Sequence, residues 1–361
     1  MEDEAKAPSS HAHIQSRGPG GDRSSSSLAS STSESILSAR SLHSSDVSSI
    51  VENGRTYAND RYFMPCDEAE QMRLSMLHRV YLNALDGRLT RANLSSAELG
   101  RVLDVGAGPG DWAIAAAKRW PAADVVAADA AMLPTSSGSP SAFVSIAAAA
   151  YARDPWAFST PFDYIHLRGL KGAFRSWAAI YGAARAALAP DGVIEVVEMD
   201  DVVGLAASAP EGSATKTLLG AAKKAAERGG RGVGIEHVGK EALERAGFVR
   251  CAEWSARVPT RDVKEKEEAA RSRRGLGKLM LVVLAEGLEA SCLRLLTRGA
   301  GWSAARVREM SEVAKGELIK GEVAKEGVLV KVCYGKKVDD DEENDEDDSD
   351  EDDTNDDNDQ G

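Results

Sequence analysis

The chain has 361 residues, and its 57 acidic and 44 basic side chains give a formal net charge of −13. Residues 338–361 carry 16 of the carboxylates and no Lys or Arg, so the acidity belongs to one end and the rest of the chain is slightly basic. The four cysteines are widely separated and no run of residues is long and apolar enough to span a bilayer. These features exclude a disulfide-stapled domain, a cysteine-ligated zinc site and an integral membrane protein.

Both ends have compositions typical of disorder. Residues 1–50 are rich in serine and residues 338–361 are acidic, so neither segment can bury enough apolar surface to offset chain entropy. We therefore expect the folded region at residues 51–337. The polar start at Met1–Glu4 has no apolar leader, so we expect an intracellular protein, in the nucleus or the cytoplasm.

A helix is expected first, because apolar residues recur at helical spacing between Asp67 and Leu85. A rhythm of strands and helices follows. Strands are predicted at residues 101–105, 124–129, 142–147, 162–167 and 193–197, with helices at 112–120 and 176–188. Strands that alternate with helices indicate a parallel sheet with right-handed crossovers.

The pattern changes after Asp201, where longer helical segments dominate. Helices are predicted at residues 215–228, 239–245, 276–296 and 304–319, and strands at 248–258 and 327–334. We expect these helices to form a cap beside the sheet and the last two strands to complete it.

The strongest local signal lies where the first sheet strand gives way to a helix. Gly106, Gly108 and Gly110 let the backbone turn tightly and approach a ligand without an intervening Cβ. Such a turn lies at the carboxyl edge of an open α/β sheet, where ligands bind. Asp129, at the end of the next strand, has the spacing of a carboxylate that accepts hydrogen bonds from both ribose hydroxyls of a cofactor.

Two cofactors compete for this geometry. Asp111 occupies the position of the third glycine in the dinucleotide fingerprint, and a carboxylate there would repel a pyrophosphate. S-adenosylmethionine has no phosphate, and the acidic Asp104 is compatible with its cationic methionyl end. The loop and Asp129 therefore favour S-adenosylmethionine over a nicotinamide dinucleotide, and a glycine-rich turn without a ligand is the remaining alternative.

Several separated motifs resemble the fungal LaeA-like methyltransferases. They are Glu52–Tyr57, Asp67–Gln71, Leu82–Leu89, Arg101–Ala113, Phe162–Arg168, Leu188–Glu195, Gly301–Ser303 and Val332–Lys336. The resemblance implies an α/β, Rossmann-like class I methyltransferase fold: a seven-stranded, mostly parallel sheet with one antiparallel strand, helices on both faces and helical cap elements. It divides the folded region into a lid and helix at residues 51–90, a cofactor-binding core at 100–200, and a cap with closing strands at 201–337.

The resemblance also implies roles for individual residues. The residues expected to bind the cofactor are Asp104, Gly106, Ala107, Gly108, Gly110, Asp129, Ala130 and Asp154, with Arg55 and Tyr57 in an N-terminal lid. His166 and Arg168, at the end of the fourth sheet strand, would line the site near the transferred methyl group. Asp200 and Asp201 end the fifth strand, and Asp200 of this pair is our candidate for a carboxylate that orients the acceptor, with Glu198 as a second candidate on that strand. No metal ligand is predicted.

The chain departs from the family pattern after the third sheet strand. The family usually has an acidic doublet and then Asp-Pro-Trp, where a carboxylate meets the adenine amino group, whereas here only Asp154 is present. We expect S-adenosylmethionine-dependent methyl transfer to a protein or small-metabolite acceptor, with a role in regulating fungal secondary metabolism. The alternative is a catalytically weak or inactive scaffold. The acidic tail is expected to attract a basic protein partner, and neither membrane nor direct nucleic-acid binding is expected.

Overall fold

The computed structural model describes residues 49–95, 99–131, 142–145, 156, 158–261 and 275–338, with residues 142–145 described by their backbone alone. Apart from residues 49, 50 and 338, the two tails expected to be disordered lie outside the described residues, so their disorder stays a prediction. Within the described ranges, none of the helices combines the length and the apolar character that crossing a membrane requires.

The described chain begins with a small hairpin. It consists of β1 (Ile50–Glu52) and β2 (Arg55–Tyr57), which are joined by Asn53 and Gly54 with φ angles of 51° and 78°. The sequence pattern does not predict this hairpin, because strands of three residues are too short to show alternation. Ile50 pairs with Tyr57, so the expected disordered boundary at residue 50 is corrected by at least one residue.

The other strands form one seven-stranded sheet. They are β3 (Arg101–Val105), β4 (Asp124–Asp129), β5 (Ala142–Ser145), β6 (Phe162–Arg168), β7 (Leu188–Met199), β8 (Val249–Val258) and β9 (Val328–Lys336). Their order across the sheet is β5-β4-β3-β6-β7-β9-β8; β9 is antiparallel to both of its neighbours, and the other paired strands are parallel. The predicted α/β class is confirmed.

Helices connect and flank these strands. Those of the described residues are α1 (Glu68–Ala84), α2 (Asp111–Arg119), α3 (Trp177–Ala187), α4 (Val203–Ser208), α5 (Ala214–Arg228), α6 (Lys240–Glu244), α7 (Leu276–Gly299) and α8 (Ala304–Lys320). Before α1, α3, α5 and α8, a side-chain oxygen of Asp67, Ser176, Ser213 or Ser303 accepts a hydrogen bond from the N–H three residues on, which fixes where each helix begins. The short α4 is not predicted from the sequence.

Alternate residues of the central strands enter different cores on the two faces of the sheet. Val102 of β3 packs in one core with Trp112 of α2, whereas Leu103 packs in another with Ile180 of α3. A third core joins α1, α5, α7 and α8 to β7 and β9. Helices therefore cover both faces, and the third core builds a helical wall beside the carboxyl edge of the parallel strands.

Candidate active site

A cavity of about 920 Å³ lies at the carboxyl edge of the parallel strands. Its lining includes the segments that follow four neighbouring strands: residues 106–109 after β3, 129–131 after β4, 168–176 at the end of β6, and 201–202 after β7. The rest of the lining comes from residues 58–66, which follow the hairpin, from parts of α1, α2, α3, α5 and α7, and from Gly229 and Arg231. An open α/β sheet binds ligands at this edge, so the cavity is the candidate active site.

The glycine loop forms one side of this cavity. Gly106, Gly108 and Gly110 have φ angles of 69°, 55° and 82°, a region that side chains strongly disfavour. At Gly106 a side chain is also excluded by a steric clash, because a Cβ would lie 2.3 Å from the Cδ2 atom of Leu170. Gly106, Ala107 and Gly108 line the cavity, whereas Gly110 does not; it precedes the first turn of α2.

Asp129 joins the glycine loop to the end of β4. Its Oδ2 accepts a hydrogen bond from the N–H of Gly108 at 2.8 Å, and its Oδ1 accepts one from the N–H of Ala131 at 2.8 Å. Burial raises the pKa of Asp129 to about 6, although hydrogen bonds from Ala131 and Gly108 oppose that shift. Asp129 and Ala130 both line the cavity beside the glycine loop, as the sequence pattern requires.

Asp111 gives the same region a second carboxylate. It lines the cavity at the first turn of α2, and its Oδ2 accepts a hydrogen bond from the hydroxyl of Ser75 at 2.7 Å. A carboxylate at the position where a dinucleotide would carry its pyrophosphate disfavours a phosphate ligand, as inferred from the sequence.

His166 does not line the cavity, so its expected place near the transferred methyl group is corrected. Its side chain is buried inside the sheet, where Nδ1 lies 2.9 Å from Oδ1 of Asp104 and the ring stacks on Trp112. Asp104 is also absent from the cavity lining and is buried beneath the glycine loop. The two residues therefore support the loop from below.

Arg168, the other residue predicted at the end of β6, does line the cavity. Its Nη2 lies 3.1 Å from Nδ1 of His78, and its guanidinium lies over the Tyr81 ring. Because a guanidinium can only donate, His78 Nδ1 accepts, which requires a neutral imidazole. Burial, followed by the nearby Arg168 charge, lowers the pKa of His78 to about 4, and burial also lowers the pKa of Arg168.

Asp200 is corrected as the carboxylate facing the acceptor. It is absent from the cavity lining, and its Oδ1 accepts a hydrogen bond from the N–H of Gly204 at 2.7 Å, next to the start of α4. The next residue, Asp201, lines the cavity, and its Oδ1 lies 3.0 Å from Nζ of Lys171.

Lys171 is a cavity residue that sequence reasoning missed. Its ammonium lies between Asp201 and the fully buried Glu198, whose Oε2 is 3.8 Å away. Burial lowers the pKa of Lys171, but the Asp201 and Glu198 carboxylates outweigh it and raise the pKa above its ordinary value. The sequence does contain a signal that could have identified Lys171. A charged residue just beyond a buried strand needs a partner, and the neighbouring strand β7 carries Glu198.

The predicted lid residues Arg55 and Tyr57 do not line the cavity, although the chain that follows them does. Arg55 donates two hydrogen bonds to Asp67, at 2.6 and 2.8 Å, and so holds the hairpin at the start of α1. Tyr57 is buried beneath the guanidinium of Arg294, which lies 4.0 Å from the ring centre. Both residues anchor the segment over the cavity without facing it.

Arg294 of α7 binds the N-terminal segment, both in the hairpin and in the chain that follows it. It donates to Glu52 at 2.9 Å and to the carbonyl oxygens of Asn59 and Tyr62 at 2.5 and 2.8 Å. Arg294 itself is nearly fully buried and lines the cavity. Residues 58–66 consequently form a roof, which hydrogen bonds from Arg294 and Arg298 connect to α7.

A second buried ion pair lies on α1. Arg73 donates two hydrogen bonds to Glu70, at 2.9 and 2.6 Å, and both side chains line the cavity. Burial lowers the pKa of Arg73, but the contact with Glu70 outweighs it and raises the pKa. Asp154, the last of the predicted cofactor residues, lies outside the described residues.

Comparison with known proteins assigns the chain to a family. A family model described as a methyltransferase domain matches residues 76–248. The chain is 32% identical to the secondary metabolism regulator LAE1 of Cochliobolus heterostrophus, over 75% of this chain and 89% of the relative. It is 29% identical to the secondary metabolism regulator laeA of Aspergillus fumigatus, over 81% of this chain and 78% of the relative.

A further relative carries an activity in its name. The chain is 28% identical to the protein-methionine methyltransferase laeA of Emericella nidulans, over 75% of this chain and 72% of the relative. The sheet topology, the glycine loop and these similarities agree with one another and with the resemblance inferred from the motifs. The chain therefore belongs to the LaeA-like family of S-adenosylmethionine-dependent methyltransferases.

Proposed function

We propose that this methyltransferase binds its methyl donor over the carboxyl ends of β3 and β4 and its acceptor over those of β6 and β7. The observation that carries the proposal is the Asp129 carboxylate. It lines the cavity at the end of β4 and is held by the N–H of Gly108 at 2.8 Å, next to backbone that only glycine adopts readily. A carboxylate in this position suits the two hydroxyls of a ribose.

The lining on this side fits S-adenosylmethionine. Gly106 brings bare backbone to the cavity, and an ionised carboxylate such as that of Asp129 can accept several hydrogen bonds at once. Beneath the loop, the buried Oδ2 of Asp104 has no hydrogen-bond partner among the described residues, and its negative charge favours the cationic methionyl end. The volume of about 920 Å³ also leaves room for an acceptor beside the cofactor.

The residues that line the cavity act mainly by positioning the methyl donor and the acceptor. When bound, S-adenosylmethionine supplies a methyl group on a sulfonium, and transfer by in-line displacement depends on alignment and on the exclusion of water. Arg168, held by His78 and Tyr81, gives the cavity a fixed wall between the two halves. Asp201, paired with Lys171, takes the role first expected of Asp200, a carboxylate that orients the acceptor.

The acceptor that we propose is a protein side chain or a small metabolite. Two relatives are named regulators of secondary metabolism and a third a protein-methionine methyltransferase, which supports a regulatory methyl transfer. An intracellular location, in the nucleus or the cytoplasm, stays part of the proposal. The acidic residues 338–361 would attract a basic protein partner. We retain the division into a lid at 51–90, a cofactor core at 100–200 and a cap at 201–337.

A catalytically weak or inactive scaffold is the second candidate function. It is favoured by one observation, the lack of the family's acidic doublet before Asp154. Calorimetric titration of the full-length protein with S-adenosylmethionine separates the two candidates. Binding at micromolar concentrations supports an active methyltransferase, whereas no heat at millimolar ligand supports the scaffold.

Transfer is tested by incubating the protein with labelled methyl donor and whole-cell extract. We expect label in protein or in small molecules, and we expect Asp129→Ala to abolish it. Asp191→Asn is the matched control, because Asp191 is an exposed carboxylate beside Lys336 with a φ of 63°, which asparagine tolerates. Wild-type labelling by Asp129→Ala would exclude the proposed ribose contact.

A further inference from the structure

The half of the cavity over β6 carries a group of arginines that outnumbers its unpaired carboxylates among the described residues. Arg175 follows β6, Arg231 follows α5 and Arg61 belongs to the roof, and all three line the cavity. In the described part of the chain, neither Arg175 nor Arg231 forms an ion pair with a carboxylate. The ion pair found for Arg61 there is a long one, 3.8 Å from the exposed Asp60.

Contacts between two loops bring Arg175 and Arg231 together. Arg231 Nη1 donates a hydrogen bond to the carbonyl oxygen of Ala173, two residues before Arg175. Arg175 in turn reaches the loop of Arg231. Its Nη1 lies 3.2 Å from the position that a Cβ would take at Gly230, the residue before Arg231. Each arginine thus reaches across to the loop of the other.

The charges of Arg175 and Arg61 act on Arg231. Burial, and then the charges of Arg175 and Arg61, lower the pKa of Arg231. Like charges held together cost free energy, and an anion bound among them would relieve that cost.

Most other cations of the cavity wall have carboxylate partners. Arg168 instead contacts the neutral His78 and adds positive charge at the end of β6. Arg73 is paired with Glu70, and Lys171 with Asp201. Arg294 shares Glu52 with Arg298. On the donor side the charge is reversed, because the carboxylates of Asp129 and Asp111 line that half. The cavity therefore separates an acidic end over β3 and β4 from a cationic end over β6.

We propose that Arg175 and Arg231, assisted by Arg61, bind an anionic group of the methyl acceptor, a carboxylate or a phosphate. Guanidinium groups bind both oxyanions with paired hydrogen bonds, and the cofactor itself brings positive charge to the opposite end. This inference rests on the proposed function, because it assigns an acceptor to the half of the cavity that the donor leaves open. It narrows the acceptor to molecules or side chains that carry a negative charge near the methylated atom.

The test is a calorimetric titration of pyrophosphate, and separately of citrate, into the full-length protein saturated with S-adenosylhomocysteine at low salt. We expect at least one of these probes to bind the wild-type protein. Arg175 is exposed, and the variant Arg175→Gln should bind that probe about tenfold or more weakly. The double variant Arg175→Gln/Arg231→Gln should bind it more weakly still. Pyrophosphate binding alone indicates a phosphate acceptor, and citrate binding alone a carboxylate. Arg175→Lys should lose less affinity than Arg175→Gln, because it keeps the charge but not the paired hydrogen bonds.

The matched control is Arg79→Gln, because Arg79 is an exposed arginine of α1 that does not line the cavity. The inference is overturned if neither probe binds, or if Arg175→Gln weakens binding no more than Arg79→Gln does. Affinity for S-adenosylhomocysteine, measured on the same samples, should stay within about twofold of wild type in every variant. Failure of the wild-type protein to bind S-adenosylhomocysteine would instead contradict the proposed function.

Discussion

The indole of Trp112 stacks on the imidazole of His166, with ring centroids 3.8 Å apart and planes 9° from parallel. Trp112 belongs to α2 and His166 to β6, so the stack joins the helix that follows the glycine loop to the strand beside it. His166 also lies 2.9 Å from the buried carboxylate of Asp104. His166 therefore helps to support the glycine loop, and we assign it a structural role and not a catalytic one.

We expect His166→Phe to lower stability and to leave the chemical step nearly unchanged. The ring stack survives, but Asp104 loses its partner inside the sheet, which should cost on the order of 3 kcal/mol in the free energy of unfolding. Urea unfolding measures this loss. Single-turnover transfer at saturating donor should fall by far less than the roughly 100-fold or greater loss expected for a proton-transfer residue. A loss of that size in a folded, donor-saturated variant would return His166 to the catalytic residues.

Gly106→Ala should destabilise the protein and abolish donor binding. Its φ of 69° disfavours a side chain by about 1–2 kcal/mol, and the new methyl group would meet Leu170. Gly182→Ala is the matched control, because Gly182 lies on the exposed face of α3 with nothing within 4 Å of a new Cβ, so stability should rise by about 0.5–1 kcal/mol. Thermal unfolding and donor titration measure both effects. Equal behaviour of the two variants would show that the loop geometry is not limiting.

Donor affinity should depend on pH through Asp129. In the folded protein the pKa of Asp129 is about 6, above the ordinary value of 3.8. The free energy of unfolding of the ligand-free protein should therefore decrease as the pH rises from 3.8 to 6. Ribose hydroxyls donate to the ionised form, so affinity for S-adenosylhomocysteine should rise between about pH 5 and 7 and then level off. Calorimetry across this range tests the expectation. The same rise in Asp129→Asn would assign the effect to another group.

Breaking the Glu70–Arg73 pair should cost more stability than breaking an exposed pair. Glu70→Gln leaves the buried Arg73 guanidinium without its carboxylate, at about 3–5 kcal/mol in the free energy of unfolding. Lys223→Ala, which removes a pair with Glu227 on the exposed face of α5, should cost about 0.5 kcal/mol or less. Urea denaturation of both variants gives the comparison. A loss below 1 kcal/mol for Glu70→Gln would show that the pair is hydrated in solution.

The sequence was sufficient for the central sheet and for the position of the glycine loop next to Asp129, because those features depend on local patterns. Strands β3 and β4, the glycines between them and Asp129 follow one another within 29 residues, Arg101 to Asp129. Local pattern could not separate His166 from Arg168 on β6. Both residues lie near its end, but His166 points into a core with Trp112 while Arg168 reaches the cavity.

The acceptor side depends on contacts between distant segments, which leave no periodic signal. Asp200 and Asp201 are adjacent in the chain, and only the fold decides that Gly204 binds the first while Lys171 faces the second. The meeting of Arg175 with Arg231 likewise requires β6 and α5 to be packed before it can be seen. Long-range packing, rather than residue type, selects the side chains on this side.

The bond between Arg294 and Glu52 has a consequence for the order of assembly. The two residues are 242 positions apart, so during synthesis the hairpin leaves the ribosome long before α7 exists to hold it. Strands β3 to β7 can pair while the residues of α7 are still being added to the chain. The roof therefore cannot be attached to α7 until that helix has been synthesised, and a nascent chain has no enclosed cavity before that point.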